Sequence, residues 1–226
     1  YKRQHLIFCG GKVQKTSQGE MAEYKAMLIA AEKCGIPTSG EKAELFILGK
    51  RIFEEAGYEF IGLDHFAKPG DELIKARENG TLHRNFQGYS TRAGVDLFAV
   101  GLTSISETKT SYRQNFKLME DYKKSVEAGS LPIERGIVLD GEDILRRAVI
   151  MDIMCMLRVD YANYGIDFEK KFGGALEKLE GMKSDGLVEI RAGGFSVTPL
   201  GRLFLRNIAM LFDGRLGAHK NTFSKT

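Results

Sequence analysis

Closely spaced cysteines are missing from this chain. Its 226 residues hold three, Cys9, Cys34 and Cys155, far apart from one another. Thiolate metal centres and iron–sulfur clusters draw ligands from tight repeats such as C-x-x-C, because neighbouring sulfurs share one small ion or cluster. Scattered thiols instead argue for structural cysteines in a reducing compartment, and no metal ligand is assigned. Long apolar runs are missing as well. None approaches the roughly 20 residues that a membrane-spanning helix requires, and the opening YKRQ is charged where a secretory signal would be apolar. Nor does one sign of charge dominate: 33 Lys and Arg stand against 30 Asp and Glu, a net charge of +3. That balance is too even for a general nucleic-acid binder. These absences lead us to expect a cytoplasmic protein with neither a membrane nor a nucleic-acid partner. The chain opens on Tyr1 without an initiator Met, so a fragment is expected.

What remains is the composition of an ordinary globular protein, 43% hydrophobic and 28% charged. A helix is expected over Glu20–Lys33, with Gly10-Gly11 and Ser39-Gly40 as breakers. Glu41–Ala56 carries Leu45, Leu48, Ile52 and Phe53 at the spacing of one helical face, and Gly57 stops it. Tyr58–Leu63 reads as a strand, Asp71–Asn79 as a short helix, and the run VDLFAVGL (95–102) as a strand buried on both faces of a parallel sheet. Ser111–Glu127 reads as a long polar helix. Alternating helices and strands predict an α/β fold, a β/α layer or barrel.

The composition changes at Leu131-Pro132, which sets a boundary between a domain of residues 1–130 and one of 131–226. In the second, Asp140 caps a helix reaching about Asp160, with Ile144, Ala148, Met151 and Cys155 on one face. Phe168–Ser184 is a second helix, stopped by Gly186. LVEI and FSVT flank a hairpin turn at 191–194, and Thr198-Pro199 opens a closing helix. Two helices, a hairpin and a helix describe a small winged-helix-like domain.

Chemistry is expected at two places. Asp64 and His65 directly follow a strand, where α/β barrels keep their reactive groups; alternatively Asp64 caps a turn and His65 is structural. In HRNFQGYS, Gly88 allows close backbone approach, while Phe86 and Gln87 offer an apolar wall and an amide. Arg84, Arg92 and Arg135 are candidates for bidentate pairing with carboxylates. Arg146-Arg147 reads as a solvated helix face.

The motifs GYEFIGLDHFAKPGDEL (57–73) and LHRNFQGYSTRAGVDLFAVGLTSIS (82–106) together resemble the carboxy-terminal half of oxygen-independent coproporphyrinogen III oxidase, a radical S-adenosylmethionine (SAM) family. The stretches RGIVLDGEDILRRAVIMDIMCMLRVDY, DGLVEI, VTPLGRLFLRN and MLFD extend the resemblance, so that it runs from about Glu41 to Asp213. At the start of the chain Tyr1, His5 and Leu6 keep register with the family's Y-x-F-A-H-L-P, while Arg3, Gln4 and Ile7 depart from it. The resemblance implies carboxy-terminal strands and helices of a partial (β/α) barrel ahead of the winged-helix-like domain. It also implies oxidative decarboxylation of two propionates of coproporphyrinogen III to vinyl groups, giving protoporphyrinogen IX in heme biosynthesis. SAM and a 4Fe-4S cluster are the implied cofactors. The family's C-x-x-x-C-x-x-C loop is absent here, so a chain inactive alone is expected, from an enzyme monomeric at full length. By the same resemblance Phe86, Gln87 and Ile105, nineteen residues after the Phe, line a SAM site. The alternatives are a nonenzymatic winged-helix module and a porphyrin-binding module without turnover.

Overall fold

The structure, a computed structural model, describes residues 3–5, 35 and 37–216. The helix expected over Glu20–Lys33 lies outside the described residues, as do Cys9 and Cys34. The first helix, α1 (Ser39–Glu55), starts at Thr38. The Thr38 hydroxyl accepts from the Glu41 amide, and the Glu41 carboxylate accepts from the Thr38 amide. Ser39 and Gly40 are therefore the first turn of a capped helix and do not break it. At the other end Gly57 adopts φ +76°. This lets the amides of Gly57 and Tyr58 reach the carbonyls of Glu54 and Phe53.

The inward face of α1 differs from the expected one. Phe46 and Phe53, two turns apart, meet Phe60 and Phe66, whereas Leu45, Leu48 and Ile52 are exposed. Aromatic rings reach further than aliphatic side chains, and the sheet beneath α1 presents phenylalanines to meet them.

That sheet is built from β1 (Arg3–His5), β2 (Glu59–Gly62) and β3 (His65–Ala67) in the order β1-β3-β2. Helix α2 (Glu72–Glu78) follows. Asp71 caps it by accepting from the Leu73 amide at 2.9 Å, and Leu73, Ile74 and Ala76 are buried. A hairpin of β4 (His83–Asn85) and β5 (Gly88–Ser90) places Phe86 and Gln87 at its two-residue tip. A second three-stranded sheet joins β6 (Ile105–Glu107), β7 (Ser111–Asn115) and β8 (Ile133–Val138), with α3 (Met119–Glu127) between its last two strands.

Three expectations are corrected in this region. Every strand pairing among the described residues is antiparallel. The two-residue connections of β2–β3 and β4–β5 are too short for the parallel crossovers of a β/α layer, which take about a dozen residues or more. The α/β class stands, with helices and antiparallel strands mixed. Residues 95–102 form no buried strand: Val95, Phe98 and Val100 are 62%, 69% and 89% exposed, and only Leu97 bridges to Glu107. Gly94 just before the run and Gly101 within it lie in the left-handed region, so the extended path cannot continue. Residues 111–127 are likewise no single helix, because 111–115 fill the central strand of the second sheet. That sheet also spans Leu131-Pro132, since β8 pairs with β7.

Asp140 and Asp143 form a reciprocal cap at the start of α4 (Gly141–Met156). The helix ends earlier than expected, because Leu157 turns left-handed and residues 158–160 become β9 (Arg158–Asp160). Its core face is Val149, Ile153 and Cys155, while Ile144 and Ala148 are exposed. Then follow α5 (Phe168–Ser184) and the hairpin of β10 (Val188–Arg191) and β11 (Gly194–Val197), with β9 added to β11. The Thr198 hydroxyl accepts from the Gly201 amide and opens a 3-10 turn that leads into α6 (Leu205–Met210). Phe195, Leu205, Ile208 and Phe212 are fully buried around Phe168 and Phe172.

The Tyr89 and Arg202 side chains couple this core to the first half of the chain. The Tyr89 hydroxyl donates to the Met154 carbonyl at 2.9 Å, and the Arg202 guanidinium donates to the carbonyls of Phe60 and Ile61.

Candidate functional site

A cavity of about 440 Å³ opens where the β4–β5 hairpin, the β6–β8 sheet, α4 and the end of α6 converge. Its floor is apolar, made by Ile150, Met151 and Met154 of α4 with Ala209 and Met210. Phe86 forms one edge from the hairpin tip, packed edge-on against Tyr112 at 5.2 Å. Five arginines line the cavity (Arg84, Arg146, Arg147, Arg206 and Arg215) against three carboxyls, Glu107, Asp143 and Asp213.

These arginines are not equivalent. Arg146 pairs with Glu142 at 2.7 Å and donates to the Phe212 carbonyl. Arg215 grips Asp143 with two hydrogen bonds of 2.9 and 2.6 Å, which hold the Asp143 carboxyl below its ordinary value. Arg84, Arg147 and Arg206 have no carboxylate within ion-pairing distance among the described residues. Arg147 is held instead by the carbonyls of Thr108 and Lys109 at 3.1 and 2.5 Å, with the Tyr112 hydroxyl 3.5 Å away. The buried Nε of Arg84 has no hydrogen-bond partner among the described residues, and its guanidinium stands over the Tyr89 ring at 5.8 Å.

Burial shapes the acid–base groups nearby. It raises the pKa of Glu107 above the usual carboxylate range, against the pull of Arg147 and of the Tyr112 hydroxyl 3.5 Å from Oε1. Burial also raises Tyr112. His83 is lowered, first by burial and then by the Arg147 charge, so its neutral form is favoured.

The expected site residues separate accordingly. Phe86 and Arg84 line the cavity, whereas Gln87 and Ile105 are not on its wall. The Gln87 amide donates to Asn85 Oδ1 at the hairpin tip. Ile105 lies two residues from Glu107 and shares its face of β6. Arg92 is exposed outside the cavity, and Arg135 is bound to the Gln114 side chain at 2.9 and 2.6 Å.

Asp64 and His65 do not reach the cavity either. Their side chains meet at 2.8 Å, and the buried His65 ring stands edge-on to Tyr89 at 5.1 Å. A Cβ at Gly88 would fall 2.4 Å from His65 Nε2, so the pair backs the hairpin that carries Phe86.

Arg146-Arg147 reverses the sequence reading, since both line the cavity. A signal was available in Asp143, Arg146, Arg147, Ile150, Met151 and Met154, which fall at i, i+3, i+4, i+7, i+8 and i+11 on one helical stripe. That stripe lies beside the core stripe, and two adjacent faces on one helix mark a helix with partners on both.

Comparison with known proteins gives the same family from three directions. Residues 139–204 match the HemN C-terminal domain. The oxygen-independent coproporphyrinogen III oxidase of Helicobacter pylori J99 is 40% identical over 195 residues, spanning 84% of this chain and 43% of the relative. That of Thermostichus vulcanus is 41% identical over 199 residues, spanning 84% of this chain and 60% of the relative. The solved structure of the Escherichia coli coproporphyrinogen III oxidase, described as a radical SAM enzyme, superposes with a TM-score of 0.76 at 38% identity, covering 81% of this chain and 43% of that one. The chain thus spans about half the length of the curated relatives it matches. In sequence and in fold it matches the carboxy-terminal part of oxygen-independent coproporphyrinogen III oxidases.

Proposed function

We propose that this chain supplies the substrate-facing wall of an oxygen-independent coproporphyrinogen III oxidase, the enzyme that converts two propionates of coproporphyrinogen III to vinyl groups. The observation that carries this reading is the cavity itself, whose apolar Ile150–Met151–Met154 floor suits a tetrapyrrole face and whose uncompensated arginines suit its carboxylates. In this role the described residues bind and orient the substrate and exclude water around it. The boundary expected at Leu131-Pro132 then lies just ahead of Leu139, where the match to the HemN C-terminal domain begins.

The cofactors divide differently. Among the described residues no group of three or more His, Cys, Asp or Glu is placed to hold a metal ion. Cys155 is buried, and burial pushes its thiol up to about 12, protonated where a cluster needs a thiolate. The described residues therefore do not fit the 4Fe-4S cluster, and we assign it to the family's amino-terminal part. SAM fits better: Phe86 offers an exposed ring at the cavity edge, with Gln87 beside it and Ile105 on the neighbouring sheet. When bound, SAM would supply the oxidising chemistry, and these three residues would hold it.

The test is anaerobic. The chain alone, treated with iron and sulfide, is expected to develop no stoichiometric cluster absorbance and to leave coproporphyrinogen III unchanged. With the amino-terminal part of the H. pylori relative supplied in the same polypeptide, SAM and a reductant should yield protoporphyrinogen IX. A folded, cluster-loaded chimera that binds no tetrapyrrole would end this reading.

A further inference from the structure

Arg147 stands at the centre of a cluster of charged groups on the cavity wall. Four elements bring charged or titratable groups together on this cavity wall, Arg84 from β4, Glu107 from β6, Tyr112 from β7 and Arg147 from α4, and His83 of β4 lies off the wall but within reach of the Arg147 charge. The β6–β7 turn adds Lys109, whose amide donates to Asp96 and whose carbonyl holds Arg147. The Tyr112 hydroxyl lies 3.5 Å from both Glu107 Oε1 and Arg147 Nη1, bridging two charged groups that do not form a direct ion pair. Both contacts are at the long limit of hydrogen bonding, so the bridge is weak and open to replacement. Glu107 is only 8% exposed, and Arg147 is the cation that draws it towards its ionised form.

We propose that Arg84 and Arg147 form a carboxylate subsite in the cavity, and that Glu107 takes up one proton when a ligand carboxylate occupies it. An incoming carboxylate pairs with the two guanidiniums and compensates their charge. Glu107 then loses the Arg147 pull towards its ionised form while burial still favours the neutral one, so the balance shifts towards the neutral form. The proton comes from solvent, and no covalent bond to carbon changes. One anion enters and one anion is neutralised, so the cavity wall keeps its net charge. Selection follows from this arrangement: a tetrapyrrole with carboxylates at its rim gains from the subsite, and one without them leaves half-buried guanidiniums without a carboxylate. For the natural ligand the inference rests on the tetrapyrrole reading above, whereas the subsite itself requires only a carboxylate.

Two probes test it on the whole chain. With side-chain carboxyls labelled with ¹³C on Glu, the titration midpoint of Glu107 is followed with and without propionate. Binding of coproporphyrin III, a stable tetracarboxylate, is followed by fluorescence, and its proton uptake by calorimetry in buffers of different ionisation enthalpy. Propionate should move the Glu107 midpoint upward in the native chain. Coproporphyrin III should bind about tenfold more weakly to R84Q and to R147Q, the loss expected for one charged hydrogen-bonded pair. R92Q, altered outside the cavity, should bind as the native chain does. Proton uptake should be present in the native chain and absent in E107Q. If R147Q fails to fold, R84Q and the native titration still decide.

Propionate acting on Glu107 without coproporphyrin III binding upholds the subsite and ends the tetrapyrrole reading. Coproporphyrin III binding equally to native, R84Q and R147Q chains, with no proton taken up, overturns the subsite and leaves that reading standing. No response to either probe overturns both.

Discussion

Replacing Tyr89 by Phe removes one oxygen atom, and it should measurably loosen the two halves of this fold. The Tyr89 hydroxyl donates to the Met154 carbonyl at 2.9 Å. Because α4 ends at Met156, that carbonyl lies in the last turn and has no amide four residues on in the same helix. Tyr89 is 7% exposed and Met154 8%, so water does not readily replace the lost donor. A buried acceptor left unpaired costs about 1–3 kcal/mol. For a chain of this size each kcal/mol lowers Tm by roughly 2–4 °C, so Y89F should melt about 2–12 °C below the native chain. The phenyl ring itself can stay, because its contact with His65 does not involve the hydroxyl. Tyr112→Phe is the internal control: its hydroxyl makes only contacts of 3.5 Å, and its loss should cost less than about 1 kcal/mol. Urea unfolding of the three proteins at pH 7, with matched m-values, provides the measurement. A Y89F protein within about 0.5 kcal/mol of native would show that water or another donor already serves Met154, and the coupling argued from this bond would be wrong.

Two further outcomes are expected. Cys155 should stay unmodified by iodoacetamide at pH 8 in the native state and react once urea unfolds the chain, because burial pushes its thiol up to about 12; labelling read by mass spectrometry at native conditions tests this. Glu107→Gln should stabilise the chain at neutral pH, with a benefit that shrinks on acidification. Burial raises the folded-state pKa of Glu107 above its unfolded value, so in the window above 4.5 the folded chain binds more protons than the unfolded one, and stability falls as pH rises. Gln carries no such dependence, and urea midpoints measured at pH 4 and pH 7 should converge at the lower pH; parallel curves would refute the assignment.

The sequence was most readable where a single local rule decides the structure. Gly57, Gly80 and Gly186 all end helices in the left-handed region, and Asp71, Asp140 and Asp167 begin them by accepting backbone amides. The span 168–184 and the β10–β11 hairpin followed from the same rules. Reading failed where distant partners decide. VDLFAVGL has a core strand's composition, yet glycines at 94 and 101 turn the backbone and leave its apolar residues outside. SYRQN carries a helix's polar residues, yet two neighbouring strands supply hydrogen bonds that propensity cannot anticipate. The arginines show the same division. Arg84, a candidate with Arg92 and Arg135 for its capacity to pair with carboxylates, is the one of the three that lines the cavity. Arg147 was read as solvated because a charged pair on a helix usually faces water, and nothing local announces the carbonyls of Thr108 and Lys109, almost forty residues away, that hold it. Charge on a helix is thus informative only together with the stripe it occupies. Here the stripe carries Ile150, Met151 and Met154 below the arginines, an apolar continuation that a purely solvated face has no physical reason to keep.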